Sequence, residues 1–264
     1  IVGGGWIGLE VAAAARGHGC PVTVIEPQTT VLAGALGTVI GDLMRDVHEA
    51  HGVEFRFVDQ AERLVDDGTD SVAAVVTASG ATLPARTVVV GIGITPNVDL
   101  AADAGLAIEN GIRCNASLRT SAPDVFAAGD VASWEHPVVG TRIRVDHWTN
   151  ASVGGQVAGR VMAGASAVHD SWPIFFSDQY DLGLEYVGHV PRGTSVDVVL
   201  RGDPRSGEYL AFWLSGDRLL AGMHVNTWGA LDQITPLLGM PSVDRAVLAD
   251  ADTALEAARR PNAG

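Results

Sequence analysis

The stretch IVGGGWIG, residues 1–8, opens the chain and decides the fold. Gly3, Gly5 and Gly8 give the pattern G-x-G-x-x-G between a short β-branched run and an Ala-rich run that favours a helix. In a strand-to-helix turn the first glycine permits the tight turn, the second lets the backbone approach a pyrophosphate, and the third lets the helix pack closely on the strand. The phosphates would lie against the N-terminus of a helix that starts near Trp6. The pattern predicts a dinucleotide site on a Rossmann-type fold.

An acidic residue stands where such a site needs one. Val22–Ile25 is typical of a buried parallel strand, and Glu26 ends it close to the expected 20-residue offset behind the glycines. A carboxylate accepts hydrogen bonds from a ribose 2′-hydroxyl but repels a 2′-phosphate, by about 4 kcal/mol per pair of like charges at contact distance before screening. No arginine occurs in Pro27–Leu36 to offset that repulsion. We expect NADH rather than NADPH, unless Glu26 is merely a solvated strand-end residue. The same fingerprint could instead hold the adenosine of FAD, so the motif alone does not choose between the two dinucleotides.

Periodicity predicts the remaining elements. A second helix is indicated by apolar residues at the helical period, at Ile40, Leu43, Met44 and Val47. A strand at 53–58 follows, and after it a β meander at Val72–Thr77, Ala81–Leu83 and Thr87–Val90. Further on we expect a short strand at 125–128, a helix at 148–163 and four strands at 184–187, 196–200, 209–214 and 219–224. Helical segments follow, and residues 259–262 are expected to be a frayed tail.

Composition excludes several classes of function. The 264 residues are 47% hydrophobic and 18% charged, which indicates a folded globular protein rather than a disordered one. The net charge of −14 disfavours nucleic acid as a partner. The longest apolar runs are broken by glycine well short of the roughly 20 residues of a membrane span, so no membrane association is expected. All 17 cationic residues are arginine, which rules out a P-loop lysine or a Schiff base within these residues.

The cysteines and histidines carry no metal or disulfide signature. Cys20 and Cys114 are far apart and form no C-x-x-C, which fits a reducing cytoplasm. None of the eight histidines occurs in an H-x-x-x-H arrangement with an acid in place. His48 and His51, late in the second predicted helix, are interpreted as cap-region or surface residues. We predict no metal site.

The first glycine comes earlier than in a complete strand–turn–helix unit. A buried strand normally runs about 5 or 6 residues before its glycine turn, and only Ile1 and Val2 precede Gly3. The chain also lacks an initiator methionine. We therefore expect it to be a fragment with an upstream part missing.

A second nucleotide signature lies at Thr120–Asp130, which reads TSAPDVFAAGD. It resembles the T-x-x-P-x-V-(Y/F)-A-x-G-D segment of flavoproteins with two dinucleotide-binding domains. In that superfamily the aspartate accepts a hydrogen bond from the ribityl chain of FAD, which implies the same role for Gly129-Asp130. The order of fingerprint, meander, VVVGIG at 88–93 and the Gly-Asp segment resembles the second half of that superfamily. Its FAD fingerprint is expected in the missing part.

Four further segments narrow the resemblance. They are Gly8-Leu9-Glu10, GIGITPN at 91–97, DHWTNA at 146–151 and FSDQY at 176–180. Together they are similar to the NADH-dependent ferredoxin reductases of cytochrome P450 and ring-hydroxylating dioxygenase systems, and the similarity covers essentially the whole chain. It implies an α/β fold with a Rossmann-type NAD-binding domain at 1–92, the C-terminal segment of an FAD-binding domain at 93–168, and a small α+β C-terminal domain at 169–264.

The resemblance also implies a reaction. NADH would transfer a hydride to flavin N5 of FAD, and two single-electron steps would follow to a [2Fe–2S] ferredoxin. The flavin performs this chemistry while the protein orients it. Ferredoxins are usually acidic, so docking on this acidic chain would need a local arginine patch, for which the candidates are Arg142, Arg144, Arg192 and Arg201.

Residue roles follow from the same family. Glu10 and the backbone of Gly91-Ile92-Gly93 would line the nicotinamide pocket, although Glu10 is also explained as a first-turn acid favoured by the helix dipole. Trp148 would open a helix whose positive end favours charge on reduced flavin, and Phe176 would lie near the flavin edge; core positions are the alternatives for both. The full set of predicted cofactor-binding residues is Gly3, Gly5, Trp6, Ile7, Gly8, Glu10, Glu26, Gly91, Ile92, Gly93, Gly129, Asp130, His147, Trp148 and Phe176.

Three alternatives compete with this interpretation. One is that the chain is only a nucleotide-binding remnant, which would bind flavin poorly and lack activity without the missing FAD half. The other two are functions that use the same fold. A flavin disulfide reductase is one, but its C-terminal domain carries an H-x-x-x-x-E pair, and none occurs after Trp172. An apoptosis-inducing-factor-like redox scaffold is the other. Rapid reoxidation of the flavin by a ferredoxin would argue against the scaffold.

Overall fold

The computed structural model describes residues 1–260, and it divides into two compact units. Unit 1 contains Ile1–Ile94 together with the short segment Ser177–Leu182. Unit 2 contains the other described residues. The mixed α/β class predicted from the sequence is confirmed.

Unit 1 begins with alternating helices and parallel strands. In chain order these are α1 (Trp6–Gly17), β1 (Val22–Glu26), α2 (Ala33–Ala50) and β2 (Val53–Phe57). β1 and β2 pair in parallel, and Val2 forms parallel bridges to both Ile25 and Val90. Apolar residues from α1 and both strands are buried together at Ala12, Val22, Val24 and Val53. These pairings place Val2, and hence the glycine turn that follows it, beside the end of β1.

A β meander completes the first 94 residues, and it differs from the predicted one. Its three antiparallel strands are β3 (Ala61–Asp66), β4 (Val72–Thr77) and β5 (Thr82–Pro84). The prediction of a third meander strand at Thr87–Val90 is wrong, because Val90 bridges to Val2 of the parallel sheet instead. The missed strand β3 has charged and mostly exposed residues and therefore lacks the alternation on which the prediction depended.

The first part of unit 2 is a small sheet with one long helix. Its elements are α3 (Asp99–Asp103), β6 (Ile112–Cys114), β7 (Ala132–His136), β8 (Thr141–Ile143) and α4 (Trp148–Met162). β6 and β7 are parallel, and β8 is antiparallel to β7. A separate core forms around Leu118, Trp134, Ile143 and Val161. The predicted strand at 125–128 is wrong, since only Phe126 forms an isolated bridge, to Arg119.

The last part of the chain is an antiparallel sheet with short helices, and it belongs to unit 2 except for Ser177–Leu182. Its strands are β9 (Ile174–Gln179), β10 (Leu182–Gly188), β11 (Asp197–Asp203), β12 (Glu208–Ser215) and β13 (Arg218–Val225), in the sheet order β11-β12-β13-β10-β9. The remaining elements are α5 (Ala230–Ile234), β14 (Ser242–Val243), α6 (Arg245–Ala249) and β15 (Arg259–Arg260). Phe212, Leu219 and Ile234 are among the buried residues of this third core.

The predicted frayed tail is wrong where the structure describes it. Arg259 and Arg260 form β15 and pair with β14 in an antiparallel register. The Arg260 guanidinium also donates to the Asp244 carboxylate at 2.8 Å. Residues 261 and 262 of that predicted tail lie outside the described residues.

Candidate functional site

The glycine turn is built from three backbone segments in close approach. Gly3 has a φ of +101°, and a Cβ there would lie 2.4 Å from the carbonyl oxygen of Gly91. A Cβ on Gly8 would lie 2.0 Å from the carbonyl oxygen of Gly3. The N–H of Gly91 donates to the carbonyl of Val2 at 2.8 Å. Two of the predicted glycines are therefore required by packing, and the predicted Gly91 is brought against them.

Gly5 differs from its two neighbours because its surroundings are open. A Cβ built on Gly5 would meet no atom within 4 Å. Gly5 is the N-cap of α1, which has no side-chain cap and no acidic residue in its first turn. Such a helix end attracts anions. Open space beside a positive helix end fits the pyrophosphate of a dinucleotide.

Glu26 closes the other side of the turn. Its Oε2 accepts from the N–H of Gly4 at 2.6 Å, and its Oε1 accepts from the N–H of Gln28 at 2.9 Å. The residue is 8% exposed, so the alternative of a solvated strand-end glutamate is wrong. Each carboxylate oxygen can accept more than one hydrogen bond, which leaves capacity for a ribose hydroxyl. No ion pair to Glu26 occurs within residues 1–260.

The other predicted residues of unit 1 surround this turn. Trp6 begins α1 and is partly buried, whereas Ile7 and Ile92 are exposed. The methyl Cγ2 of Ile92 would lie 3.5 Å from a Cβ on Gly3. Gly93 has a φ of +108° and open space around it. An exposed apolar rim therefore borders the glycine turn.

Glu10 is held by a residue far along the chain. Its Oε1 accepts from the hydroxyl of Ser177 at 2.5 Å. Glu10 is the fifth residue of α1 and the helix has no acid in its first turn, so the first-turn alternative is wrong. Gln179 donates to the Ser177 hydroxyl at 3.0 Å, and its Oε1 lies 2.8 Å from His48 Nε2.

Sequence reasoning missed this group of side chains. His48 was predicted as a cap-region or surface residue and is instead fully buried, because the segment 177–182 covers it. His51 is exposed, as predicted, and caps the end of α2. The motif at 176–180 was the available signal, but nothing in it indicated that its residues join unit 1.

The predicted flavin-binding residues lie in unit 2. Gly129 has a φ of +74°, and a Cβ there would make an ordinary contact with Ala151 of α4 at 3.4 Å. Asp130 is exposed, and its carboxylate makes no hydrogen bond to the rest of residues 1–260. Its backbone carbonyl accepts from Arg144 at 3.0 Å, and Arg144 also pairs with Asp146. A free carboxylate at this position fits a hydroxyl-bearing ligand such as the ribityl chain of FAD.

Burial and two neighbouring residues set the pKa of Asp146. Burial raises the pKa of Asp146, Arg144 opposes that rise, and the nearby Asp130 adds to it. Arg144 therefore links the backbone of Asp130 to the side chain of Asp146.

The start of α4 holds the other predicted flavin contacts. His147 is the N-cap, and its Nδ1 accepts from the N–H of Thr149 at 3.3 Å. The N–H of Phe176 faces Nε2 of His147 at 3.3 Å, and the two rings meet edge to face at 4.8 Å. A neutral imidazole accepts at only one nitrogen, so these two contacts compete. Trp148 and Phe176 are 71% and 45% exposed, so the core alternative is wrong for both.

Three of the four candidate docking arginines are engaged locally. Arg142 pairs with Glu135 at 2.8 Å, and Arg144 pairs with Asp146. Arg201 donates to backbone carbonyls of residues 247, 251 and 253. Arg192 is exposed. These arginines do not form a set of free charges.

The structure also bears on the predictions for the cysteines and for a metal site. Cys20 is exposed and Cys114 is buried, and both are free. Burial raises the pKa of Cys114 to about 11, so its thiol stays protonated near neutral pH. Across residues 1–260 no three His, Cys, Asp or Glu side chains are grouped to hold a metal ion. A search of the same residues for a helix long and apolar enough to cross a membrane finds none.

Two family models match the chain. The pyridine nucleotide-disulphide oxidoreductase model matches residues 1–155, and a reductase C-terminal model matches residues 174–259. The chain belongs to the pyridine nucleotide-disulphide oxidoreductase family.

Named relatives refine this class. The ferredoxin–NAD(+) reductase component of the anthranilate 1,2-dioxygenase system of Burkholderia cepacia is 41% identical over 86% of this chain and 55% of its own length. The 5,5′-dehydrodivanillate O-demethylase ferredoxin reductase subunit of a Sphingobium species is 37% identical over 97% of this chain and 62% of its own. The chain thus spans little more than half the length of the curated relatives it matches.

Solved structures agree with these relatives. The ferredoxin reductase of the CYP199A2 system from Rhodopseudomonas palustris is 33% identical and superposes with a TM-score of 0.91, covering 98% of this chain and 64% of that one. The covalent putidaredoxin reductase–putidaredoxin complex is 31% identical, with a TM-score of 0.90, and covers 97% of this chain and 61% of that one. The resemblance to ferredoxin reductases that the sequence motifs predicted is confirmed.

Proposed function

We propose that the protein is an NADH-dependent flavoprotein reductase that passes electrons through FAD to a [2Fe–2S] ferredoxin of a cytochrome P450 or ring-hydroxylating oxygenase system. One observation carries the proposal: the nucleotide-binding family model and the reductase C-terminal model follow each other on this chain, and proteins similar over 86% and 98% of it bear ferredoxin reductase names.

Binding of NADH is assigned to the glycine turn of unit 1. The open face of Gly5 and the uncapped end of α1 would receive the pyrophosphate. Glu26 would accept from the ribose 2′-hydroxyl, and its charge would repel the 2′-phosphate of NADPH. Glu10 and the backbone of residues 91–93 would hold the nicotinamide end.

Binding of FAD is assigned to residues of unit 2. Asp130 would accept from the ribityl chain, and Gly129 would allow the backbone to approach it. The N-terminus of α4, with His147 and Trp148, would add a positive dipole end near the flavin. When bound, FAD would take two electrons from NADH and release them one at a time to a one-electron acceptor.

The protein's own residues supply orientation and charge rather than a nucleophile. Phe176, at 45% exposure, gives an apolar surface next to His147. The raised pKa of Asp146 and its pairing with Arg144 keep the charge beside Asp130 balanced.

The division into domains at 1–92, 93–168 and 169–264 remains our proposal, and three separate buried cores support it. We also propose a cytoplasmic location, which is supported by two free cysteines in different parts of the chain.

Stopped-flow reduction tests the function. The full-length protein, reconstituted with FAD, is mixed with NADH and separately with NADPH, and bleaching of the visible flavin band is followed. We expect rapid bleaching with NADH and much slower bleaching with NADPH, and then rapid reoxidation on adding a [2Fe–2S] ferredoxin. Reduction by NADH without any reoxidation by ferredoxins would favour the scaffold function instead.

A control separates cofactor loss from loss of chemistry. Flavin content is measured by absorbance before each mixing experiment. A protein that holds no flavin after reconstitution would contradict the proposed function. Equal rates of reduction by NADH and NADPH would contradict the proposed preference for NADH.

A further inference from the structure

Five polar side chains in unit 1 form one continuous chain of hydrogen bonds that ends at Glu10. In order they are Tyr180, His48, Gln179, Ser177 and Glu10. Three of these residues come from the segment 177–182, and the other two come from α1 and α2. The family assignment and the proposed reaction do not use the members before Glu10.

The Glu10 carboxylate, at one end of this series of hydrogen bonds, determines which group donates in each of them. An ionised carboxylate only accepts, so the Ser177 hydroxyl donates its one proton to Glu10 at 2.5 Å. The Ser177 oxygen must then accept from the amide of Gln179 at 3.0 Å. That orientation turns Gln179 Oε1 toward His48, whose Nε2–H donates at 2.8 Å. His48 Nδ1 is left unprotonated and accepts from the Tyr180 hydroxyl at 3.0 Å.

The middle of the chain is sealed from water. Ser177, Gln179 and His48 are each at most 2% exposed. Burial lowers the pKa of His48 and so keeps the ring neutral. The hydrogen-bond directions derived above require a neutral ring. A buried polar network in which every member is satisfied is rigid, because losing any partner leaves a desolvated group unpaired.

Tyr180 anchors the far end. Its φ of +58° lies in the left-handed region, which is costly for a tyrosine. Its ring stacks on His51 at 3.7 Å and 10°, while its hydroxyl bonds His48. These two contacts hold the strained Tyr180 backbone in place next to Gln179, which bonds both Ser177 and His48.

We propose that Ser177 is a positioning residue for the nicotinamide end of the dinucleotide site, holding Glu10 through one carboxylate oxygen while Gln179 and His48 hold Ser177. Glu10 is exposed, and its Oε2 makes no hydrogen bond within residues 1–260, so that oxygen stays available to a ligand. The inference rests on the proposed function, in which Glu10 faces the nicotinamide.

The test compares two ligands that differ only at that end. Dissociation constants for NAD⁺ and for ADP-ribose, which lacks nicotinamide, are measured by isothermal titration calorimetry on the full-length protein and on Ser177→Ala. We expect NAD⁺ to bind about fivefold to tenfold more weakly to the variant, with ADP-ribose unchanged. The ratio of the dissociation constant for NAD⁺ to that for ADP-ribose should therefore rise. A general loosening of the fold would weaken both ligands and leave this ratio unchanged.

The matched control is Ser79→Ala. Ser79 is in the same unit and its hydroxyl also donates to a carboxylate, that of Asp59, at 2.7 Å. Any effect of this change should fall equally on both ligands. Equal weakening of both ligands in Ser177→Ala, or no weakening, would overturn the proposal.

A second variant guards against misfolding of the first. Glu10→Ala removes an exposed side chain, and it should raise the same ratio. The double variant Ser177→Ala/Glu10→Ala should be no weaker than Glu10→Ala alone, because the two residues act as one unit. Additive losses would show that Ser177 acts independently of Glu10. A wild-type protein that binds neither ligand would instead overturn the proposed dinucleotide site, and the inference with it.

Discussion

The two glycine–acid motifs of this protein are alike in composition and opposite in construction. In the first, the acid Glu26 is 8% exposed and both its oxygens already accept from backbone N–H groups. In the second, Asp130 is exposed and its carboxylate has no hydrogen-bond partner among residues 1–260. A Cβ on Gly8 would collide with backbone, whereas one on Gly129 would make an ordinary contact.

This difference separates two ways of building a nucleotide site. The first motif is held in shape by the protein itself, so its residues serve folding and binding together. In the second, the proposed function leaves the acid to the ligand. A substitution of Glu26 should therefore change stability and binding at once, and a substitution of Asp130 should change binding alone.

The largest effect should come from Gly8→Ala. The new methyl would lie 2.0 Å from the carbonyl oxygen of Gly3, which is backbone and cannot move aside cheaply. We expect a loss of about 3 kcal/mol in the free energy of unfolding, measured by urea denaturation. Gly5→Ala is the control, because a methyl there meets nothing within 4 Å. A comparable loss in both variants would break the distinction between packed and open glycines.

Glu26→Gln should sharpen the comparison by affecting both properties. An amide offers one acceptor oxygen where the carboxylate serves two N–H groups, so we expect about 2 kcal/mol of lost stability. Removing the charge should also lower the preference for NADH over NADPH at least about tenfold, measured as the ratio of kcat/KM values. Glu54→Gln, an exposed glutamate on β2, controls for charge alone. An unchanged preference would show that Glu26 only supports the turn.

Asp130→Asn should affect binding only. We expect the affinity for FAD to fall about tenfold while the free energy of unfolding of the protein without flavin stays the same. Flavin release monitored by fluorescence gives the first quantity. The exposed Asp124, in the same segment, supplies the control substitution Asp124→Asn. A loss of stability in Asp130→Asn would contradict the view that this acid is left to the ligand.

The smallest effect concerns pH and the helix beside the second motif. Asn150 of α4 bonds His169 at 2.8 Å, and burial lowers the pKa of His169 to about 4. The unfolded state therefore binds more protons between about pH 4 and pH 6.5, so stability is lost as the pH falls through that range. We expect about 1 kcal/mol less stability at pH 5 than at pH 7.5 from this group, after allowing for solvent screening.

Urea denaturation at both pH values measures this loss. His169→Gln should show a shallower dependence on pH than wild type, while His18→Gln, at an exposed histidine, should not change it. Because burial also lowers the pKa of His48, His136 and His189, part of the acid sensitivity should remain in His169→Gln. Identical slopes in wild type and His169→Gln would contradict the assignment.

Local chemistry made the first motif predictable. The glycine spacing, the strand ending at Glu26 and the helix from Trp6 are each encoded within a few residues, and the structure has all three. Strand β3 was missed because both of its faces carry charged or exposed residues. The prediction that Val88–Val90 lie in a meander strand was wrong because a β-branched run does not reveal which sheet it joins.

The remaining features that were not predicted depend on contacts between residues far apart in the sequence. The bond from Ser177 to Glu10 joins residues 167 apart, and that from Gln179 to His48 joins residues 131 apart. Periodicity reports which face of an element is buried and carries no information on which distant segment covers it. His48 therefore looked like a helix-end histidine until its partner segment was known.

Because residues 177–182 belong to unit 1, this unit cannot complete its fold until they have been synthesised. On the ribosome, the first 94 residues emerge long before the segment that covers His48 has been made, and domains otherwise tend to fold in order of emergence. Contacts of such high sequence separation form late because the loop between them must first be closed. The nascent dinucleotide unit should therefore hold an exposed histidine and an untethered Glu10 until Leu182 has left the exit tunnel.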